Sequence, residues 1–114
     1  MMLEDFGLHD ATLLAIDFAW ASGQCVVRIR HTSLADCILL FTEVTRLSVP
    51  RTHPWGPSQS IHSASTRVQG QFEIEMQSGD LIGIEAGAVR LVQCRPGTTW
   101  DDATMRMHEG WNHE

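Results

Sequence analysis

Gly70-Gln-Phe-Glu-Ile-Glu-Met-Gln-Ser-Gly-Asp-Leu-Ile-Gly-Ile-Glu85 reads as a β-hairpin and sets the fold class of this chain. Phe72, Ile74 and Met76 alternate with Gln71, Glu73, Glu75 and Gln77, the two-residue period of a half-buried strand. Ser78-Gly79-Asp80 supplies turn chemistry, and Leu81, Ile82 and Ile84 form the return strand. The hairpin therefore belongs to a sheet with one dry face and one acidic, solvated face. It specifies no reaction.

Parity fixes the loop length. A two-residue Ser78-Gly79 loop would place Ile74 beside Gly83 and Phe72 beside Glu85, burying a carboxylate against the apolar face. A three-residue loop, Gln77-Ser78-Gly79, pairs Met76 with Asp80, Ile74 with Ile82 and Phe72 with Ile84. Gly79 then takes the left-handed position of a type I turn with a G1 bulge. The odd-length loop is the expectation.

An earlier hairpin is read the same way. Leu14, Ile16, Phe18 and Trp20 share one face, and Cys25, Val27 and Ile29 share a face after a Ser22-Gly23 turn. A two-residue loop pairs Trp20 with Cys25, Phe18 with Val27 and Ile16 with Ile29. It also sets Asp17 directly opposite Arg28, a favourable cross-strand pair, and His31 opposite Leu14. A helix from Ala11 to Trp20 would expose apolar residues all round and leave the Ser-Gly turn unexplained. Asp36 to Thr42 is a continuous apolar run, expected as a central strand covered on both faces. Val44, Leu47 and Val49 continue it weakly.

Pro50 to Ser60 holds three prolines and a glycine, which forbid regular structure. So long a loop in a compact domain is functional or disordered as a rule, and Trp55 in its middle points to a pinned loop. Ile61 to Val68 reads as an extended strand or a polar connector. Ala86 to Gln93 is the last strand, with Val89 and Leu91 on one face, ended by Arg95-Pro96-Gly97. Residues 1–95 make a single β-domain. Residues 96–114 form a tail with Trp100, Met105, Met107 and Trp111, read as a short amphipathic, helical segment packed on the domain or on a partner.

Composition narrows the function classes. At 114 residues the chain is one domain. Folding should reduce about 18,000 Å² of chain surface to about 6,200 Å², enough for one core without disulfide or metal staples. Fourteen acidic residues against eight arginines give a net charge of −6, with no lysine. That balance argues against a nucleic-acid partner, which needs a basic patch. No apolar run reaches membrane-spanning length, and Met1-Met2-Leu3-Glu4-Asp5 is acidic where a signal peptide is basic. A cytoplasmic protein is expected, with Cys25, Cys37 and Cys94 as buried thiols. No motif implies a cofactor.

Six histidines raise the question of a metal. His108-Glu109-Gly110-Trp111-Asn112-His113 misses the zinc-protease helix, because histidines five apart diverge by about 140° around a helix. His9-Asp10 precedes the first strand. Asp10 can cap a turn, and His9 can bond across to a neighbouring loop. The functional alternative gathers His9, Asp10, His53 and His62 at the open end of the sheet as a ligand or metal site.

Trp55-Gly56-Pro57-Ser58 has two readings. Trp55 plugs the end of the core, or Trp55 and His53 form a recognition tip on a rigid sheet. Ser58 lacks a nucleophile elbow, and phosphate-binding glycine fingerprints are absent. Glu73, Glu75 and Glu85 form either a solvated face balanced by Arg28, Arg30 or Arg90, or a docking surface for a basic partner.

Phe6-Gly7-Leu8-His9-Asp10-Ala11, the strand hairpin, Leu40-Phe41 with Val44, the Trp55-Gly56-Pro57-Ser58 loop with Ile61, and Ser78-Gly79-Asp80 together resemble small bacterial families. Some of these are similar to immunity proteins that neutralise polymorphic toxins. The resemblance spans roughly Phe6 to Val92 and implies a small β-rich cytoplasmic domain without established catalysis. The expected fold is all-β, mainly antiparallel, with about six or seven strands in a curled sheet or small β-sandwich. The leading functional expectation is a non-enzymatic, immunity-like protein-binding module using Trp55, His53, Glu73, Glu75 and Glu85. The alternatives are the His/Asp ligand or metal site and a structural homodimer through a sheet edge or the tail.

Overall fold

The computed structural model describes residues 2–93 and the backbone of 98–101 and 106–109. A single 3-10 turn, Leu3–Phe6, precedes ten strands. These are β1 (Thr12–Ala19), β2 (Gln24–His31), β3 (Ala35–Thr42), β4 (Arg46–Ser48), β5 (Ile61–Val68), β6 (Gln71–Met76), β7 (Leu81–Glu85), β8 (Ala88–Gln93), β9 (Thr98–Asp101) and β10 (Arg106–Glu109). The first eight build two four-stranded antiparallel sheets, ordered β1-β2-β3-β8 and β4-β7-β6-β5. The all-β expectation holds. The helical tail does not, since β9 and β10 pair as antiparallel strands. Thr98, Thr99 and Trp100 are β-branched or aromatic residues that favour extended backbone over helix. Met105, Trp111, His113 and Cys94, together with Arg95-Pro96-Gly97, lie outside the described residues. Among the described residues no helix is long and apolar enough to cross a membrane.

The two sheets are joined at two corners. At one, β3 runs through Glu43–Thr45 into β4 while its neighbour β7 runs through Ala86–Gly87 into β8. Gly87 N donates to Thr42 O at 2.9 Å and Thr45 N to Glu85 O at 2.8 Å, so the bent ribbon stays paired across the turn. At the other corner β1 meets β5 through the bridge Thr12–Ser60. Leu13 N donates to Gln59 O at 2.7 Å and Ile61 N to Ala11 O at 2.8 Å there.

The core lies between the sheets. Cys25, Val27 and Ile29 of β2 and Cys37, Leu39 and Phe41 of β3 face Phe72, Ile74, Ile82 and Ile84 across it. Phe41 and Phe72 meet edge to face at 5.5 Å, the favoured geometry for an aromatic pair. The expected two-sided burial of β3 is borne out, because Cys37 to Phe41 are all buried. Ile38 and Leu40 form a second cluster with Val26 on the other face.

The β6–β7 hairpin has the expected register, with Ile74 opposite Ile82 and Phe72 opposite Ile84. Gly79 N donates to Met76 O and Met76 N to Asp80 O, both at 2.9 Å. Gly79 sits at φ +92, where glycine lacks the Cβ penalty. Ile61–Val68 resolves as a strand.

The first hairpin departs from its expected register. The loop spans four residues, Trp20 to Gly23, closed by Gly23 N donating to Ala19 O. Phe18 therefore opposes Cys25 and Ile16 opposes Val27. A bulge between Leu13 and Ala15 then turns Leu13 inward against Ile29 and leaves Leu14 outside the ladder. Asp17 opposes Val26, not Arg28, yet the two charged side chains still meet diagonally at 3.3 Å.

His31 closes the core at the N-terminal end. Its Nε2 donates to Phe6 O at 2.8 Å, while Nδ1 accepts from Ser33 N at 3.0 Å and Leu34 N at 3.2 Å. These partners select the neutral Nε2–H tautomer. The expected satisfied rim histidine is borne out, though its strand neighbour is Ala35.

Candidate functional site

Beyond the Thr12–Ser60 bridge, β1 leaves β5 and the sandwich opens. The opening is a cleft of about 330 Å³. One wall is β1 from Leu13 to Ile16, and another is the β4–β5 connection at Val49–Arg51, His53 and Pro57–Gln59. Met76, Ser78, Asp80 and Ile82 of the β6–β7 hairpin complete it.

Asp80 organises this region. It is 5% exposed, and its Oδ1 accepts from Thr52 N at 2.8 Å and Thr52 Oγ1 at 2.9 Å. Ser78 Oγ donates to Oδ2 at 2.7 Å, and His53 N donates to both oxygens at 3.0–3.1 Å. The Ser78 hydroxyl holds the carboxyl well below the usual carboxylate range; burial opposes this, and the Thr52 and His53 donors reinforce it. One carboxylate thus ties an irregular loop to the turn of a rigid hairpin.

His53 is held in that loop at φ +53, a left-handed conformation uncommon outside glycine. Its side chain is 25% exposed, with Nδ1 3.3 Å from Asp80 Oδ2. That nitrogen is buried and makes no well-aligned hydrogen bond. Nε2 is left as the nitrogen available to a ligand. Ser58 Oγ accepts from Ser60 N at 3.2 Å, the pattern of a structural serine turn rather than of a nucleophile beside a base.

Trp55 follows His53 in a turn closed by Gly56 N donating to His53 O at 3.1 Å. Trp55 N donates to Ser78 O at 2.9 Å, and the indole packs on Gly79. The ring is nevertheless 75% exposed. The core-plug reading is therefore overturned: Asp80 and Ser78 pin the loop from below, and Trp55 stays outside. Leu14, Phe18, Trp20 and Val49 are also exposed, and all four line the cleft or the adjoining depression beside β4. Phe18 and Trp20 meet edge to face at 6.1 Å.

The other sequence-predicted residues fall elsewhere. His9 Nδ1 donates to His62 O at 2.6 Å, and the two rings lie 5.9 Å apart. Asp10, in a left-handed turn, sits 3.6 Å from His9 Nε2 and accepts from Gln77 Nε2 at 3.4 Å. His53 pairs with Asp80 instead of joining them. Among the described residues no group of three or more His, Cys, Asp or Glu is arranged to hold a metal ion. The four-residue metal site fails because His9 spends its donor on the His62 carbonyl and His53 lies against Asp80 instead.

Glu73, Glu75 and Glu85 do share the outer face of the second sheet. Their partners are not Arg28, Arg30 or Arg90, which sit on β2 and β8 of the other sheet. Arg67 reaches Glu73 at 3.2 Å, Ser63 Oγ donates to Glu75 at 3.5 Å, and Arg46 stands opposite Glu85. Arg28 and Arg30 pair with Asp17 and Asp36 at 3.3 and 3.1 Å.

Cys25 and Cys37 are both buried, and Cys25 is a free thiol. Burial, aided by the charge of Asp17, pushes the Cys25 thiol up to about 11. Asp80 is the residue that sequence reasoning missed, because its partner Thr52 lies 28 positions away. Comparison with protein-family models, with curated proteins and with solved structures finds no match to this chain.

Proposed function

We propose that this chain is a non-enzymatic protein-binding module of the immunity-protein kind, working in the bacterial cytoplasm. The observation that supports this reading is the exposed aromatic and aliphatic side chains gathered on one side of the sandwich. Trp20, Phe18, Leu14 and Val49 line the open side and Trp55 lies on the β6–β7 turn, whereas Met2, Val68 and Leu81 are exposed elsewhere. Exposed apolar groups so concentrated mark interaction sites, and aromatics dominate binding energy at such sites. Trp55 is held in place by Ser78 and Gly79 before any partner arrives, which lowers the ordering cost of association. The free, buried Cys25 thiol suits a reducing compartment. The acidic row contributes less, since Arg67 and Arg46 partly balance it.

The test is affinity capture from the native cell, including the product of the adjacent gene. Wild-type chain is compared with Trp55→Ala, Trp20→Ala and a Glu73/Glu75 double alanine variant. Loss of a partner in the tryptophan variants is the expected result. An unchanged partner set in all variants refutes the proposal. Sedimentation velocity supplies the second arm: a dimer dissolved by Trp20→Ala would replace this reading with a homodimer.

A further inference from the structure

We propose that the cleft beneath the β4–β5 connection is a binding site for a small amphipathic carboxylate, a ligand class beyond the protein-binding reading and independent of it. Its volume, about 330 Å³, lies within the range of small-molecule pockets and is roughly twice that of a dry cavity that accepts benzene. By that measure it has room for roughly ten to fifteen non-hydrogen atoms.

The lining dictates the chemistry. Met76 and Ile82, 5% and 2% exposed, form the deep wall, and Leu13 and Ile16 face them from β1. The body of the ligand must therefore be apolar. Two nitrogen-bearing side chains, Arg51 and His53, enter from the same short segment. Arg51 has no ion-pair partner among the described residues. His53 turns Nδ1 toward Asp80, so its neutral ring offers Nε2 as an acceptor and leaves Arg51 as the cation for a ligand carboxylate. Asp80 is already surrounded by the Thr52, His53 and Ser78 donors, so it offers little to a cationic ligand. A guanidinium without an ion-pair partner at a cleft with apolar walls suits one carboxylate on a compact hydrocarbon body.

Isothermal titration and ¹H–¹⁵N NMR of the full chain with 3-phenylpropionate test this, with 3-phenylpropanol and 3-phenylpropylamine as matched controls. Saturable 1:1 binding of the acid alone is expected, with shifts concentrated at the amides of residues 13–16, 51–53 and 82. Arg51→Gln, a change at an exposed side chain, should weaken it about tenfold, the loss of one charge-assisted contact. Trp55→Ala should leave it unaltered, which separates this site from partner capture. Absence of binding at millimolar acid overturns the proposal. So does equal binding of the alcohol, or equal affinity in Arg51→Gln.

Discussion

The indole of Trp55 packs on the α-carbon of Gly79 so closely that a β-carbon there would collide with its six-membered ring. Gly79 also stands at φ +92, so two separate constraints require glycine at this position. Gly79→Ala should cost more than about 1 kcal/mol in urea unfolding. It should also displace the indole, shifting tryptophan emission in the folded state. Unchanged emission with full stability would mean that the ring does not rest on the turn.

Asp80 makes stability depend on acid. Its folded-state value lies below that of an unfolded aspartate, near 3.9. The unfolded chain therefore binds more protons in the acid range, and stability falls as pH drops below about 4. Above about pH 5 the contribution is fully present. Asp80→Asn keeps one acceptor but turns an amide toward the donors of Thr52 and His53. It should lower Tm by on the order of 10 °C at pH 7 and flatten the acid limb of a Tm–pH curve. An acid limb as steep as that of the wild type would remove Asp80 from this role.

His31 joins three backbone groups from two segments. His31→Phe keeps bulk but strands Phe6 O and the Ser33 and Leu34 amides. A loss of about 2–3 kcal/mol is expected in chemical denaturation. Amide exchange at Ser33 and Leu34 should accelerate ahead of exchange in β3. Protection equal to the wild type at both amides would contradict the assignment.

Cys25, with its thiol pushed up to about 11, should resist iodoacetamide at pH 8 in the native state. Peptide-level mass spectrometry should find Cys25 labelled only in urea. Raising the pH from about 8.5 should also erode stability, because the unfolded thiol loses its proton first. Rapid native labelling of Cys25 would show that the sheet interior opens.

The β6–β7 hairpin was legible because its determinants are local. Two apolar rows and one glycine leave a single loop length that keeps every glutamate out of the core. The register of β1 was not, because Leu13 and Leu14 are adjacent and either can face inward; the bulge chooses Leu13. The eleven residues from Pro50 to Ser60, rich in proline and polar side chains, conceal which of them is anchored. Asp80 sits in a turn where aspartate needs no special explanation, and its hold on Thr52 and His53 exists only after the hairpin and the loop have met. His9 and His62 do come together, but as a hydrogen bond from ring to backbone, a pairing that residue types alone cannot tell from a metal site.

The bridge between Thr12 and Ser60 has a kinetic consequence. Every other strand pairing of β1 is with its immediate successor, so the bridge and the neighbouring bond between His9 and His62, 53 residues apart in sequence, depend on closing a long loop. Such closure costs chain entropy before it returns contacts, which slows folding relative to a structure of local hairpins. The cleft has no far wall until that step is complete. Its assembly therefore reports long-range closure of the chain, as the equally distant pairing of β3 with β8 also does.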